Sequence, residues 1–271
     1  MVKIFFRKYW LTVCVYIGLI LLYVYVTENR LANPFLFPKA GAIVKAFFDN
    51  RRVMLLNMTA SFGLMIPSIL ISLAVALSIG TILGMNRWLR DALHPVIYAF
   101  SAVPAILLSP FALLLAPSLR AASIFLIVYG TIWSTLFATI TGIMTIDKRY
   151  LDKAATLELR GIKKMTKVIL PAASPVILAG FVNSLRGTFV ILVFSEMYGA
   201  RYGMGFFVRR YAEFGMYSHT WAGFIFMVIV LVIFIPAAWY NYFAHKGHSL
   251  FSIPVNIGKF LGGKSIFNIY K

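Results

Sequence analysis

The chain is poor in cysteine and in acidic residues. Cys14 is its one thiol, and eight of its 271 residues are Asp or Glu. A single thiol cannot form an internal disulfide bond, and it supplies too few ligands for a metal site. Because unpaired cysteine is usually buried, we expect Cys14 to be a small buried side chain in the first apolar run.

Clustered histidines and nucleotide-binding glycine loops are also lacking. The four histidines are dispersed, and only the pair in the C-terminal tail lies close together: His94, His219, His245 and His248. No Gly-x-x-x-x-Gly-Lys-Ser/Thr loop occurs, so this chain cannot itself bind and cleave ATP by the P-loop route. We therefore expect no catalytic residue, no metal and no cofactor on this chain, and no enzyme activity.

Apolar residues dominate what remains. Hydrophobic residues make up 61% of the chain, charged residues 13%, and the mean hydropathy is +0.86, which is membrane rather than soluble usage. A helix crosses the hydrocarbon core with about 20 residues. Six runs are long enough: Tyr9–Val26, Val53–Met85, Pro95–Ser118, Ala121–Ile146, Val168–Met197 and Thr220–Phe243. We predict an all-α integral membrane protein with six transmembrane helices. The first run is too long for a signal-peptide core and lacks a small-residue cleavage site, so it is retained as a helix.

Basic residues predict the orientation. With the N-terminus inside, sixteen Lys and Arg residues fall in the inner segments and nine in the outer ones. This excess favours cytoplasmic N- and C-termini. The formal net charge of +18 then reflects topology and contact with the anionic lipid of the bilayer. Because the basic residues are scattered over both faces, we expect no binding of nucleic acid.

The outer segment after the first run is not a random loop. Asn33–Pro38 is stiff and extended, because each proline excludes helix from the residue before it. Residues 40–50 then have helical periodicity, with four apolar side chains on one side: Ile43, Val44, Phe47 and Phe48. We expect an in-plane helix at the outer interface.

A polar loop over residues 147–175 separates two apolar runs and holds seven of the 26 Lys and Arg residues. On helical spacing its side chains form an apolar stripe of Leu151, Ala155, Leu159, Ile162, Met165 and Ile169, opposite Lys153, Arg160, Lys164 and Lys167. Such a helix in a short connection indicates docking of another protein, and the alternative is a helix lying on the inner leaflet. Glu158 falls on the apolar stripe, where burial would require a cationic or N–H partner.

Five features in register resemble one family. They are Asn33–Pro38 before a short helix, Ser101–Pro104 ahead of Pro110, Ala154-Ala155, Leu170-Pro171, and Ser195–Met197 followed by Gly203–Gly205. Over roughly residues 30–240 the chain resembles the permease subunit of ABC importers, in the nitrate, sulfonate and taurine branch. The resemblance implies the type I importer fold and a multi-pass protein of the bacterial inner membrane.

The resemblance also implies partners. They are a separate ATPase subunit that carries ATP and Mg, a second permease copy in a homodimer, and an extracytoplasmic solute-binding protein. The family signature is Glu-Ala-Ala, a glycine four residues later, and Ile-x-Leu-Pro. Counted back from Leu170-Pro171, it falls on Asp152, Lys153 and Ala154, with Glu158 at the glycine position. The implied coupling residues are Asp152, Ala154, Ala155, Glu158, Leu159, Gly161, Ile162, Leu170 and Pro171.

Two ionisable residues and two prolines inside apolar runs are candidates for a translocation path or gate: Pro104, Pro110, Arg186 and Glu196. Arg186 and Glu196 point about 80° apart on an ideal helix, so we expect no direct pair. Arg186 either faces the path or caps neighbouring carbonyls. Glu196 matches an acidic position of the family and is better suited to a gate or to stabilising the fold than to binding substrate.

The sequence predicts four regions. They are an N-terminal transmembrane helix (1–30), an extracytoplasmic segment with an interfacial helix (31–56), a five-helix permease core (57–243) and a cytoplasmic tail (244–271). The implied function is import of a small solute, either an anion of the nitrate, sulfonate or taurine type or a vitamin precursor. The alternatives are an ion-coupled secondary transporter and a membrane scaffold without transport activity.

Overall fold

The computed structural model describes the backbone of residues 2–245 and the side chains of residues 10, 11 and 14–233. The described chain is helical and contains no strand, which confirms the all-α prediction. The helices are α1 (Val2–Glu28), α2 (Ala40–Asp49), α3 (Arg51–Met85), α4 (Arg87–Ala102), α5 (Ser109–Leu115), α6 (Leu119–Met144), α7 (Lys148–Thr156), α8 (Gly161–Lys164), α9 (Leu170–Gly199), α10 (Met204–Glu213) and α11 (Tyr217–His245). A 3₁₀ turn (Ala105–Leu108) precedes α5, and a π-helical turn (Met165–Ile169) joins α8 to α9.

The contacts described below lie within one compact unit that ends at Val228. In a second unit, which begins at Ile229, the described element is the C-terminal half of α11. The predicted cytoplasmic tail (244–271) lies outside the described residues except for its first two.

Three of the described helices are long and apolar enough to cross a membrane: α3, α6 and the continuous helix Gly161–Gly199 that contains α9. They correspond to the predicted second, fourth and fifth runs. The described apolar parts of α1 and α11 are shorter, Cys14–Glu28 and Tyr217–Ile233. The length criterion therefore supports three spans, or four if a bent pair of helices counts as one.

That bent pair corresponds to the predicted third run. The segments Arg87–Ala102 and Ala105–Leu115 meet at an angle of 81°. Pro104 lies at the bend, with Val103 before it in an extended conformation. Proline disfavours helix at the preceding residue and has no N–H to donate, so α4 ends there. Pro110 is in the first turn of α5, where a missing N–H costs little. The two prolines therefore lie at the break between two helices and not inside one continuous helix.

α6 is the central helix, packed along α3 on one side and α9 on the other. Small residues allow the close approach: a Cβ on Gly80 would lie 2.7 Å from Cβ of Thr139, and one on Gly84 would lie 2.9 Å from Cβ of Ile143. Gly80 and Gly84 thus act as small residues that permit close packing of helices. Gly187 has no such role, because a Cβ added there would have no atom within 4 Å.

Buried hydroxyls line the contact between α6 and α9. Thr131 Oγ1 lies 2.8 Å from Thr188 Oγ1, and Thr135 Oγ1 lies 2.9 Å from Ser184 Oγ. All four residues are buried. Interhelical hydrogen bonds of this kind contribute up to about 2 kcal/mol each within membranes. They fix the rotation of α9 about its axis, and hence which of its residues face outward.

The outer segment contains the predicted helix, but the apolar residues predicted on one side of it differ in burial. α2 begins directly after the proline-containing stretch, and the Tyr23 hydroxyl donates a 2.8 Å hydrogen bond to the Pro38 carbonyl. Ile43 is buried in a cluster with Ala222 of α11. Val44 and Phe48, expected on the same face as Ile43, are exposed.

Cys14 in α1 is also exposed, so its predicted burial is wrong.

Candidate functional site

The loop between α6 and α9 contains two short helices instead of one. α7 ends at Thr156, and Glu158 and Gly161 both have left-handed backbones, with φ of +50° and +52°. The chain turns there, so residues on either side no longer share a helical face. Ala154 is fully buried whereas Ile162 is 75% exposed. The prediction of one continuous amphipathic stripe is therefore wrong.

The turn at Glu158 is a helix C-cap. The Glu158 N–H donates to the Ala155 carbonyl at 2.9 Å, and the Leu159 N–H donates to the Ala154 carbonyl at 3.0 Å. This crossed pair is the Schellman arrangement, whose left-handed residue is usually glycine. Glu158 stands where the family signature has its glycine, and the backbone there has the conformation that favours glycine. Glu158 is exposed in this chain, and its burial against a cationic or N–H partner on an ATPase subunit stays a prediction.

Replacing Glu158 tests this cap. We expect Glu158→Gly to raise the free energy of unfolding by about 1 kcal/mol, because glycine removes the steric cost of the left-handed backbone. The thermal unfolding midpoint of the detergent-solubilised chain measures the change. Glu158→Ala is the matched control, since it removes the carboxylate but retains a Cβ, and it should leave the midpoint nearly unchanged. A lower midpoint for the glycine variant would contradict the assignment.

α7 packs against the N-terminal end of the continuous helix that contains α9. Asp147 caps its N-terminus by accepting the Arg149 N–H at 2.9 Å, and α7 packs against the π-helical turn Met165–Ile169. Ala154 is the buried residue of α7. Leu170 packs at the edge of a buried cluster that includes Ile169. α7 can therefore move with α9 as a rigid piece.

The predicted coupling residues divide into a buried and an exposed group. Ala154 is buried, and Leu159 and Leu170 are half-buried. The exposed members are Asp152, Ala155, Glu158, Gly161, Ile162 and Pro171. Leu157, which sequence reasoning did not select, is also exposed (60%) and lies in the turn beside Glu158. Its exposure could not be deduced, because it follows from where α7 ends.

Glu196 lies in a different site, at the N-terminus of α10. Three successive N–H groups there are bound by side chains of two other helices. The Gly203 N–H donates to Asn57 Oδ1 at 2.9 Å, the Met204 N–H to Ser61 Oγ at 2.9 Å, and the Gly205 N–H to Glu196 Oε2 at 2.8 Å. Free N–H groups and the dipole at a helix N-terminus both favour a carboxylate.

The glycines of this site are required by the carboxylate. Gly203 has φ of +127°, and a Cβ on it would come within 2.6 Å of both Glu196 carboxylate oxygens. Glu196 is completely buried. Of the two roles favoured for it, gate or fold stabilisation, this geometry supports stabilisation, since Glu196 ties α9 to α10. Asn57 and Ser61 were missed, because they are more than 140 positions away from their partners in the sequence.

Arg186 is exposed on α9, near the middle of the helix. Among the described residues its guanidinium makes no ion pair and no hydrogen bond, so neither the capping of neighbouring carbonyls nor a pair with Glu196 is observed. A charged side chain at the centre of the bilayer costs about 2.5–3.5 kcal/mol on insertion scales. Arg186 is therefore better suited to a polar environment than to lipid.

Pro104 and Pro110 are exposed on either side of the 3₁₀ turn that follows α4. The turn contacts both α6 and α9, and the Tyr129 hydroxyl of α6 donates to the Phe100 carbonyl at 2.5 Å. The structure does not bring these prolines together with Arg186 or Glu196 in one cluster of contacts. The four candidates thus occupy separate places in the fold.

The sequence model of one protein family, described as the binding-protein-dependent transport system inner membrane component, matches residues 72–246. This is more than half of the chain. The chain belongs to this family. The matched region begins within α3 and includes α6, α7 and α9, so both the loop between α6 and α9 and Arg186 lie within it.

Curated relatives of this transport component have named substrates. The putative aliphatic sulfonates transport permease protein SsuC of Bacillus subtilis is 29% identical over 161 residues, covering 59% of this chain and 58% of the relative. The nitrate import permease protein NrtB of Synechococcus elongatus is 27% identical over 169 residues, covering 61% of each chain. The bicarbonate transport system permease protein CmpB of the same species is 26% identical over 185 residues, covering 67% and 64%. The chain thus spans about three-fifths of the length of these relatives, and the predicted resemblance to ABC importer permeases is confirmed.

Proposed function

We propose that this chain is the transmembrane permease subunit of an ATP-driven importer. The observation that carries the proposal is the position of α7. This short helix lies between two apolar helices, α6 and α9, and packs against the N-terminal end of the helix that contains α9. The turn after α7 and the first residues of α8 present exposed apolar side chains, Leu157 and Ile162, among basic residues. On this proposal the exposed surface of residues 152–162 docks on a cytoplasmic ATPase subunit that carries ATP and Mg.

The mechanical reason for this arrangement is force transmission. When ATP closes two soluble subunits and hydrolysis releases them, the motion must reach helices in the lipid. α7 is held by its Asp147 cap and by the buried Ala154, so a push on α7 reaches α9 without melting the connection. Rigid-body movement of helices about an interface is a common form of such switching.

The proposed assembly has two copies of this chain, two ATPase subunits and an external solute-binding protein. The path lies between the two permease copies, on their twofold axis. In the inner membrane, each copy spans the bilayer six times, with α1, the bent α4–α5 pair and α11 added to the three long helices. Both termini are cytoplasmic, as the distribution of basic residues favours.

The relatives' names favour a small oxyanion as the solute, since sulfonates, nitrate and bicarbonate share that chemistry. The ion-coupled secondary transporter is the second candidate. Such proteins carry ionisable groups for the coupling ion within the membrane. Glu196 is the one acidic residue within α3, α6 and α9, and it is buried as a helix cap, which counts against that candidate.

Uptake into proteoliposomes separates the two candidates. The protein is purified with the subunits that accompany it and reconstituted with binding protein and radiolabelled nitrate or taurine. We expect uptake that requires ATP on the cytoplasmic side and that stops when a non-hydrolysable analogue replaces it. Uptake that follows an imposed proton or sodium gradient, without ATP, would contradict the proposal.

A further inference from the structure

We propose that Arg186, Asn183 and Ser134 form an oxyanion-binding cluster on the translocation path. The inference rests on the proposed function and deepens it by assigning binding residues for the oxyanion. It starts from the position of Arg186, which is 16 residues from the start of α9 and 13 from its end. At 1.5 Å per residue, both ends are about 20 Å away or more. Arg186 therefore lies near the middle of the predicted span.

The charge inventory of the sequence leaves Arg186 without a counter-ion. The eight acidic residues are Glu28, Asp49, Asp91, Asp147, Asp152, Glu158, Glu196 and Glu213. Glu196 is the one within α3, α6 and α9, and its carboxylate is buried at the start of α10. A second copy of the chain would bring another Arg186 to the path, not a carboxylate. No described carboxylate pairs with Arg186, and a transported anion is a ligand that would supply the neutralising charge.

Two polar side chains complete the proposed cluster, Asn183 on the same edge of α9 as Arg186 and Ser134 on α6. Asn183 is exposed one turn earlier, and its Nδ2 donates to Ser134 Oγ of α6 at 3.3 Å. Residues three apart on a helix are surface neighbours. Because Ser134 Oγ accepts from Asn183, its own O–H is available to donate outward, and the second N–H of the Asn183 amide is available as well. The cluster thus offers hydroxyl, amide and guanidinium donors.

This donor set suits an oxyanion. The planar guanidinium donates two parallel N–H groups to a pair of oxygens, and the amide and hydroxyl donate to a third. A neutral solute would leave the mid-membrane positive charge of Arg186 uncompensated. Gly187 leaves space for a ligand beside Arg186, because it has no side chain and a Cβ added there would have no atom within 4 Å.

The test uses the single native thiol of the sequence. Cys14→Ser gives a cysteine-free parent, and Gly187→Cys then places a reporter thiol beside the cluster where the added Cβ meets no atom. The full chain is reconstituted in liposomes. Reaction rates are measured with an anionic and a cationic methanethiosulfonate of similar size, the sulfonatoethyl and trimethylammonioethyl reagents. Nitrate, methanesulfonate and chloride are compared as protecting anions at equal ionic strength.

We expect both water-soluble reagents to react and the anionic one to react faster. Adding Arg186→Gln should lower the ratio of anionic to cationic rates by about tenfold, since the unit charge lies within several ångströms of the thiol. Arg186→Lys is the matched control and should retain the ratio, because it keeps the charge. Nitrate and methanesulfonate should slow labelling when Arg186 is present and lose that effect in Arg186→Gln, and chloride should protect less than either oxyanion.

Three results would overturn the proposal. They are no reaction of the Gly187→Cys thiol with either reagent, an unchanged rate ratio in Arg186→Gln, and protection by chloride equal to that by the oxyanions. The thermal unfolding midpoint of each variant is measured alongside, so that loss of fold is recognised. The assay needs neither ATP nor a partner, so it can fail while ATP-driven uptake is observed, and it can succeed if uptake proves to be gradient-driven.

Discussion

Gly203→Ala is expected to lower the free energy of unfolding by about 3 kcal/mol or more. Gly203 has φ of +127°, a conformation that residues with a side chain rarely adopt. The new methyl group would also occupy the space of the Glu196 carboxylate, 2.6 Å from each of its oxygens. Two independent costs therefore fall on one substitution.

The displaced carboxylate would leave buried groups without partners. Glu196 accepts the Gly205 N–H, and the neighbouring Gly203 and Met204 N–H groups are held by Asn57 and Ser61 of α3. Displacing the backbone at Gly203 by the width of a methyl group would break these three hydrogen bonds. Each buried donor left without an acceptor costs about 1–3 kcal/mol. We expect α10 to detach from α3 and α9 in the variant.

Gly63→Ala is the matched control. Gly63 lies inside α3, and an added Cβ would have no atom within 4 Å. Alanine in a helix is more stable than glycine by about 1 kcal/mol, so this variant should unfold at the same temperature or higher. Thermal unfolding in detergent compares the two. Equal midpoints for Gly203→Ala and Gly63→Ala would show that the carboxylate does not sit over Gly203.

Leu157→Asp is expected to abolish binding of the ATPase subunit while the permease stays folded. Leu157 is 60% exposed in the turn after α7, so a carboxylate there has little effect on the fold. An apolar residue at the centre of a docking surface can contribute several kcal/mol to binding, and a buried unpaired charge reverses that contribution. We therefore expect a loss of at least about 100-fold in affinity, which is complete loss in a pull-down.

Leu31→Asp is the control for this change. Leu31 is 66% exposed in the segment between α1 and α2, on the face opposite to the coupling loop in the proposed topology. The same substitution there should leave ATPase binding unchanged. Loss of binding in both variants would point to a general defect of the membrane protein. Retention in both would remove the turn after α7 from the docking surface.

The long helices follow from local sequence. α3, α6 and α9 begin and end within two residues of the predicted apolar runs, because a run without charges has to stay in lipid as hydrogen-bonded helix. The bend at Pro104 has a local cause as well, yet hydropathy alone treated Pro95–Ser118 as one span. Hydropathy averages over the run and does not register a single residue that excludes helix.

The functional surfaces depended on tertiary contacts that the sequence does not display. The single stripe predicted for residues 151–169 assumed that the helix continues, whereas the left-handed Glu158 ends it. Glu196 was selected as an isolated acidic residue, and its partners Asn57 and Ser61 lie on a helix far away in the sequence. Arg186 was singled out from its place in an apolar run, but only the exposure of its face favours the path over carbonyl capping.

The most direct test of the importer assignment is to identify the proteins that co-purify with the intact chain from the membrane. The wild-type protein, tagged and solubilised in mild detergent, is purified from its own membranes, and its partners are identified by mass spectrometry. We expect an ATPase with a Walker motif to co-purify in about equal amount to the permease. This ATPase should be lost from the Leu157→Asp variant and retained in Leu31→Asp. A folded permease that purifies without any such ATPase would contradict the importer assignment and leave the ion-coupled transporter as the better account.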